Sequence, residues 1–241
     1  MSNSPLVVYT KLSPHCNKPR NKPILKITPH HMAGNVSIET CGNIFAAPDR
    51  KASSNYGIGT DGRVGMYVEE QNRSWCSSSA ENDHQAITIE VANDGGAPDW
   101  HVSDKALEAL IALCVDICKR NGIPSLNFTG DKNGNLTMHK WFAPTACPGP
   151  YLESKFPYIA AEVNKRLHAT PVPTADFLVR VLDPELNIRE GAGTQHPVVN
   201  VIRDKGVYTI VEETKIGSTP WGRLKSGAGW ISLGEKYSRK I

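Results

Sequence analysis

Two stretches decide how this chain is read: I-L-K-I-T-P-H-H-M-A-G, from Ile24 to Gly34, and L-T-M-H-K-W-F-A-P-T-A-C-P-G-P-Y-L, from Leu136 to Leu152. In the first, Ile24 to Thr28 alternates apolar and polar residues, the period of a half-buried strand, and the strand is expected to end at His30 and His31. Consecutive strand residues point to opposite faces, so only one of the two histidines can share a site with residues elsewhere. In the second, His139 and Cys147 flank a turn rich in Pro144, Pro148 and Gly149. His30, His139 and Cys147 could fill three corners of a Zn²⁺ tetrahedron and leave the fourth for water. No short zinc-ribbon spacing is present, and from composition alone a His-His pair at a strand end is more often structural or at the surface.

Working outward, Ser37 can cap a short helix with Ile38 and Phe45 on one face. Tyr56 to Val64 contains the turn pair Asp61-Gly62 between apolar residues and Gly65 to Glu70 continues beyond it, so together they suggest a hairpin. Ala86 to Val91 reads as another strand. From Ser103 to Arg120, Leu107, Leu110, Ile111, Cys114, Ile117 and Cys118 recur at helical spacing between an N-cap Ser103 and Gly122. This makes Cys114 and Cys118 core residues. A last helix is expected to open at Pro157 and close at Leu167. Strands alternating with helices predict an α/β fold with a central mixed β-sheet flanked by helices.

The 241 residues exceed one domain of roughly 150, so a second core is expected. Ala169 to Thr174, with Pro171 and Pro173, has the texture of an extended spacer. The expected organisation is therefore a first domain over 1–168, a linker over 169–174 and a second domain over 175–241. The last is rich in short apolar runs (Leu178 to Leu182, Val198 to Ile202, Tyr208 to Val211, Gly229 to Ser232) between Gly, Asp and Pro turns, the signature of a small all-β barrel.

Apolar residues at 39% and charged residues at 21% exclude a disordered, collagen-like or coiled-coil chain. A net charge of +3, from 27 Lys and Arg against 24 Asp and Glu, is too small to predict nucleic-acid binding. Leu6 to Tyr9 is far too short for a signal-peptide core or a membrane span, so synthesis in the cytoplasm without membrane insertion is expected. Six cysteines in a reducing compartment are read as core residues or metal ligands rather than disulfides. His15 and Cys16, in a polar Pro-rich loop, are read as groove or surface residues, and Cys41 and Cys76 are left unassigned.

The two opening stretches, with N-Y-G-I-G-T-D-G from Asn55, A-I-T-I-E-V from Ala86 and V-S-D-K-A-L from Val102, resemble zinc N-acetylmuramoyl-L-alanine amidases of type 2. That resemblance implies their fold, shared with peptidoglycan recognition proteins. It also implies a zinc held by His30, His139 and Cys147, with His31 a structural neighbour. It places Glu90 as the catalytic carboxylate, on a strand whose apolar neighbours Ile87, Ile89 and Val91 would desolvate it and raise its pKa. Without the resemblance, Glu90 would read as a solvent-facing residue of an alternating strand. Thr145 matches a position where a donor reaches the developing oxyanion, its simpler role being a hydrogen bond within its own turn. The hairpin departs from the phage lysozyme-amidase pattern: counting back from Asp61 puts Ser54 where those enzymes carry Tyr, so Tyr56 is read as packing.

The second domain resembles the bacterial SH3-like module of cell-wall hydrolases, through L-N-I-R-E-G-A-G-T from Leu186 and W-G-R-L-K-S-G-A-G-W-I-S from Trp221. The module implies wall binding, to which Trp221 and Trp230 could supply flat apolar surface, unless both are core. Together the resemblances imply an endolysin or autolysin that hydrolyses the amide between the lactyl group of N-acetylmuramic acid and L-alanine, with peptidoglycan as its partner. An endolysin of this kind waits in the host cytoplasm and reaches the wall after release. The alternatives are a non-catalytic peptidoglycan-binding protein, or a cysteine peptidase of the wall peptide that uses Cys147 with His139.

Overall fold

Apolar residues at period two build the sheet that carries the candidate site. The computed structural model describes residues 3–168 and 176–241, and the chain divides into units 1–168 and 169–241. The expected linker, 169–174, lies outside the described residues. In the first unit β1 (Val7–Thr10), β2 (Cys16–Asn17) and β3 (Lys26–His31) precede α1 (Ile38–Ala46). Then come β4 (Tyr56–Ile58), β5 (Val64–Met66), β6 (Arg73–Ser74), α2 (Ala80–Gln85), β7 (Ala86–Val91), α3 (Asp104–Asn121), a 3₁₀ turn (His139–Trp141) and α4 (Pro150–Leu167).

The main sheet has the order β1-β5-β4-β7-β3, and β2 pairs with β6 in a small ribbon. Strand β7 runs parallel to both β3 and β4, while β4 and β5 form the antiparallel hairpin expected around Asp61-Gly62. The sheet is thus mixed and flanked by helices, as the alternating pattern predicts.

Ile87, Ile89 and Val91 join Leu110, Ile111, Ile117, Phe156 and Ile159 in one buried cluster, so this face of β7 packs toward α3 and α4. Each fully buried Leu, Ile or Phe contributes roughly 1.5–3 kcal/mol relative to exposure. Alternation then sends Thr88 and Glu90 to the other face, where α1 supplies Cys41 and Phe45 beside Tyr67. Both expected caps are present: Ser103 accepts from the Ala106 N–H, and Gly122 closes α3 at φ 66°. Ser37 likewise caps α1.

One expectation needs correction. The last helix opens at Pro150, with Pro157 inside it. Pro150 satisfies the first-turn preference equally well, and buried Leu152 and Phe156 gain packing that offsets the one backbone bond lost at Pro157. The strand that carries the histidines ends at His31, as expected, its last residue paired with Val91 of β7.

The second unit is all β: β8 (Phe177–Val181), β9 (Leu186–Arg189), β10 (Val198–Ile202), β11 (Val207–Ile216), β12 (Thr219–Leu224), β13 (Trp230–Ser232) and β14 (Ser238–Lys240). They form one seven-stranded sheet in the order β10-β9-β13-β12-β11-β8-β14, antiparallel throughout. Its core is Val179, Val181, Leu186, Ile188, Ile202, Ile210, Leu224 and Ile231.

Candidate metal centre

Register places the first two site residues. His30 lies directly opposite Glu90 across the parallel β3–β7 pair, so their side chains leave the same face of the sheet. On the other side of Glu90 the partner is Gly57, whose missing side chain admits Tyr67: a Cβ there would come within 2.5 Å of the Tyr67 hydroxyl. Tyr67 in turn donates to the Ile38 carbonyl at 2.8 Å, which fixes its ring beneath the cleft.

His139 arrives by a second route. Residues 135–137 run along the free edge of β3: Ile27 N–H donates to the Asn135 carbonyl at 2.8 Å, and Thr137 N–H to the Ile27 carbonyl at 3.0 Å. The hydroxyls of Thr28 and Thr137 meet at 2.8 Å, with both residues buried. This pairing carries the chain into the 3₁₀ turn and sets the His139 ring 4.9 Å, centroid to centroid, from that of His30. The Pro-rich turn then returns Cys147, whose Sγ lies 3.3 Å from His30 Nδ1. One ligand atom from each of His30, His139 and Cys147 falls within 4.8 Å of the others. Residues more than a hundred positions apart thus converge on one end of the sheet, at a cleft of about 780 Å³.

Electrostatics suits these groups to a cation. Burial, then the neighbouring His139 and His31, hold His30 well below the usual histidine range, and burial also lowers His139. Both imidazoles are therefore neutral with lone pairs to offer. The Cys147 thiol is pushed up to about 12, by burial first and by Glu90 second, so it gives up its proton only to a strong local positive charge. His30 Nε2 is buried with no hydrogen-bond partner, a cost of about 1–3 kcal/mol that a ligand would relieve. Two nitrogens and one sulfur are the donor set of a zinc site with room for further ligands, so the residues present fit zinc.

Glu90 stands beside them with its carboxyl raised to about 7, mainly because burial disfavours the charged form. Ile87, Ile89 and Val91 point into the core on the opposite face of the strand. On the cleft side Cys76 reaches to 3.8 Å from Glu90 Oε1, and Oε2 is buried with no partner. Cys76, unassigned from sequence, is thus a site neighbour. Asp83 on α2 puts it there by accepting from the N–H groups of Cys76 and Ser77 at 3.0 and 3.1 Å. The same loop brings Ser78 Oγ to 3.4 Å from His139 Nε2. No local pattern announced Cys76, because its role depends on the Asp83 contact with the loop.

The remaining expected residues fall as follows. Thr145 is exposed on the cleft rim, and its hydroxyl accepts from the Cys147 N–H at 3.2 Å while its own proton remains free to point outward. His31 is half-buried, edge-on to Trp100 at 5.6 Å. Tyr56 is core, as expected, and donates to Glu70 Oε1 at 2.6 Å. His15 is not a surface residue: it is buried, and its Nε2 pairs with the Ala47 carbonyl at 2.8 Å. Cys114 and Cys118 are core, and Cys41 is buried against Phe45 and Tyr67. In the second unit Trp221 lines a separate cleft of about 450 Å³ with Tyr237, Lys236 and Asp183, whereas Trp230, half-buried on β13, does not line it.

Comparison with known proteins agrees with the fold. Similar solved structures include a mutant of PlyL (TM-score 0.51, 14% identity, 65% of this chain and 97% of that one). The selenomethionine derivative of AmpD is similar at TM-score 0.51 and 19% identity, covering 66% of this chain and 99% of that one. A mutant endolysin from Bacillus subtilis is similar at TM-score 0.50 and 17% identity, covering 68% and 99%. At these identities the likeness shows the fold alone. None of the curated proteins compared matches the chain. The sequence profile described as N-acetylmuramoyl-L-alanine amidase, Amidase_2, matches residues 20–150, more than half of the chain and the whole candidate centre. The chain belongs to the N-acetylmuramoyl-L-alanine amidase family.

Proposed function

We propose that the first unit is a zinc-dependent peptidoglycan hydrolase, of the endolysin or autolysin kind, that cleaves the amide between the lactyl group of N-acetylmuramic acid and L-alanine. The observation that carries this reading is the convergence of His30, His139 and Cys147 beside a Glu90 carboxyl whose Oε2 has no partner. His30, His139 and Cys147 would hold the ion. When bound, zinc supplies Lewis-acid polarisation of the scissile carbonyl and of the attacking water.

The chain's own residues do the rest. Glu90, with a carboxyl poised near neutrality, takes a proton at its free Oε2 as water attacks and returns it to the departing amine. Thr145, on the rim, can turn its hydroxyl proton toward the developing oxyanion while its oxygen stays anchored on the Cys147 N–H. The same geometry disfavours a cysteine-peptidase reading. A thiol nucleophile needs a charged imidazole or other cation to form a thiolate, and burial lowers both His139, its partner in that reading, and His30, which touches it, while raising the thiol itself.

The second unit is proposed as an SH3-like module that holds the enzyme on the wall, with Trp221 at its cleft. Among the described residues no helix is long and apolar enough to cross a membrane. Mass spectrometry of digested peptidoglycan tests the reading. New L-alanine amino ends are expected, whereas new reducing sugar ends or internal peptide cuts would overturn it.

A further inference from the structure

The cleft carries more positive charge than amide hydrolysis uses. Arg50, Lys51 and Arg73 all line it, and none of the three belongs to an ion pair among the described residues. Arg73 Nε is buried without a hydrogen-bond partner, a donor that costs free energy until an acceptor reaches it. Arg50 is steadied against Phe45, its guanidinium carbon 5.9 Å from the ring centroid. Two carboxylates line the same cleft, Asp83 and Glu90. Asp83 is spent on Cys76 and Ser77, and Glu90 serves the chemistry. Arg73 and Arg50 act at a distance on Asp83 and Glu90, but none of the three cations is tied to a carboxylate by a direct ion pair, and the scissile amide itself is neutral.

We propose that Arg50, Lys51 and Arg73 form a carboxylate-reading wall that selects muramoyl peptides whose peptide arm keeps its free carboxylates over those in which they are amidated. Guanidinium groups suit this task because their paired N–H donors match a carboxylate and lose that match against a carboxamide. The inference rests on the peptidoglycan-amidase reading and adds the charge state of the substrate.

The test uses the full-length chain carrying Glu90→Gln, so that the ligand survives, and two probes: N-acetylmuramoyl-L-alanyl-D-glutamic acid and its diamide. Calorimetry should show the diacid binding at least tenfold tighter. Arg50→Gln and Arg73→Gln should each reduce that preference several-fold while leaving diamide affinity unchanged. Lys119→Gln, an equal charge change at an exposed position of α3, should leave the preference intact. Equal affinity for the two probes, no diacid binding at millimolar concentration, or an equal loss in Lys119→Gln would each overturn the proposal, the last by showing only long-range attraction. The same probes are then given to the chain with Glu90 intact. Preferential binding without release of an L-alanine amine would leave the wall standing and sink the amidase reading, whereas release without preference sinks the wall alone.

Discussion

Replacing Glu90 with Gln should make the metal-free protein more stable above neutral pH while it impairs catalysis. The folded state raises this carboxyl from 4.5 to about 7, chiefly through burial. A group whose folded pKa lies above its unfolded value binds its proton more tightly when folded. Stability therefore falls as pH rises from 4.5 through 7, and the penalty is complete above that range. At 1.36 kcal/mol per pH unit, the gap is worth about 3 kcal/mol as a ceiling. Glutamine has nearly the same shape and no charge to desolvate. The variant should match the parent at pH 4 and exceed it by about 2–3 kcal/mol at pH 8.

The assay is urea unfolding in the presence of a chelator, since a bound cation would offset the carboxylate's penalty. It is followed by far-ultraviolet circular dichroism at the helical band, because α1 to α4 all lie in the first unit. Turnover on peptidoglycan should fall roughly 100-fold or more in the same variant. Equal or lower stability of Glu90→Gln at pH 8 would refute the claim that the cleft desolvates this carboxyl.

Two further outcomes follow from packing. Gly57→Ala puts a Cβ 2.5 Å from the Tyr67 hydroxyl, so thermal or urea unfolding should show a loss of about 1–3 kcal/mol, with a lowered turnover because Tyr67 underlies Glu90. Trp221→Phe retains part of the core contact of a side chain only 4% exposed but shortens an aromatic that lines the second cleft. Co-sedimentation with purified cell walls should drop several-fold, and Trp230→Phe should leave it nearly unchanged.

Local signals made much of the first unit legible. Ser103 and Gly122 bracket α3, Ser37 caps α1, and Ala86–Val91 alternates as a strand should. The site was legible only in part. His30 and Glu90 lie on separate strands, and nothing in either strand states that they are register partners, nor that Gly57 opens space beside them. The resemblance supplied what periodicity could not, down to the choice of His30 over His31. Cys76 escaped notice because its place depends on Asp83 capturing two backbone N–H groups across a loop. Pro157 misled because proline is favoured in a helix's first turn, and Pro150 satisfied that preference first. For Glu90 the expected direction of the pKa shift and its general cause, burial, agree with the structure, and Cys76 beside its Oε1 was not foreseen.

Metal analysis of the purified full-length chain, paired with activity before and after chelation, tests the central claim most directly. The account predicts one zinc per chain, lost together with L-alanine amine release on chelation and restored by added zinc, and no stable zinc in His139→Ala or Cys147→Ser. Full activity in a preparation shown to be free of metal would contradict it.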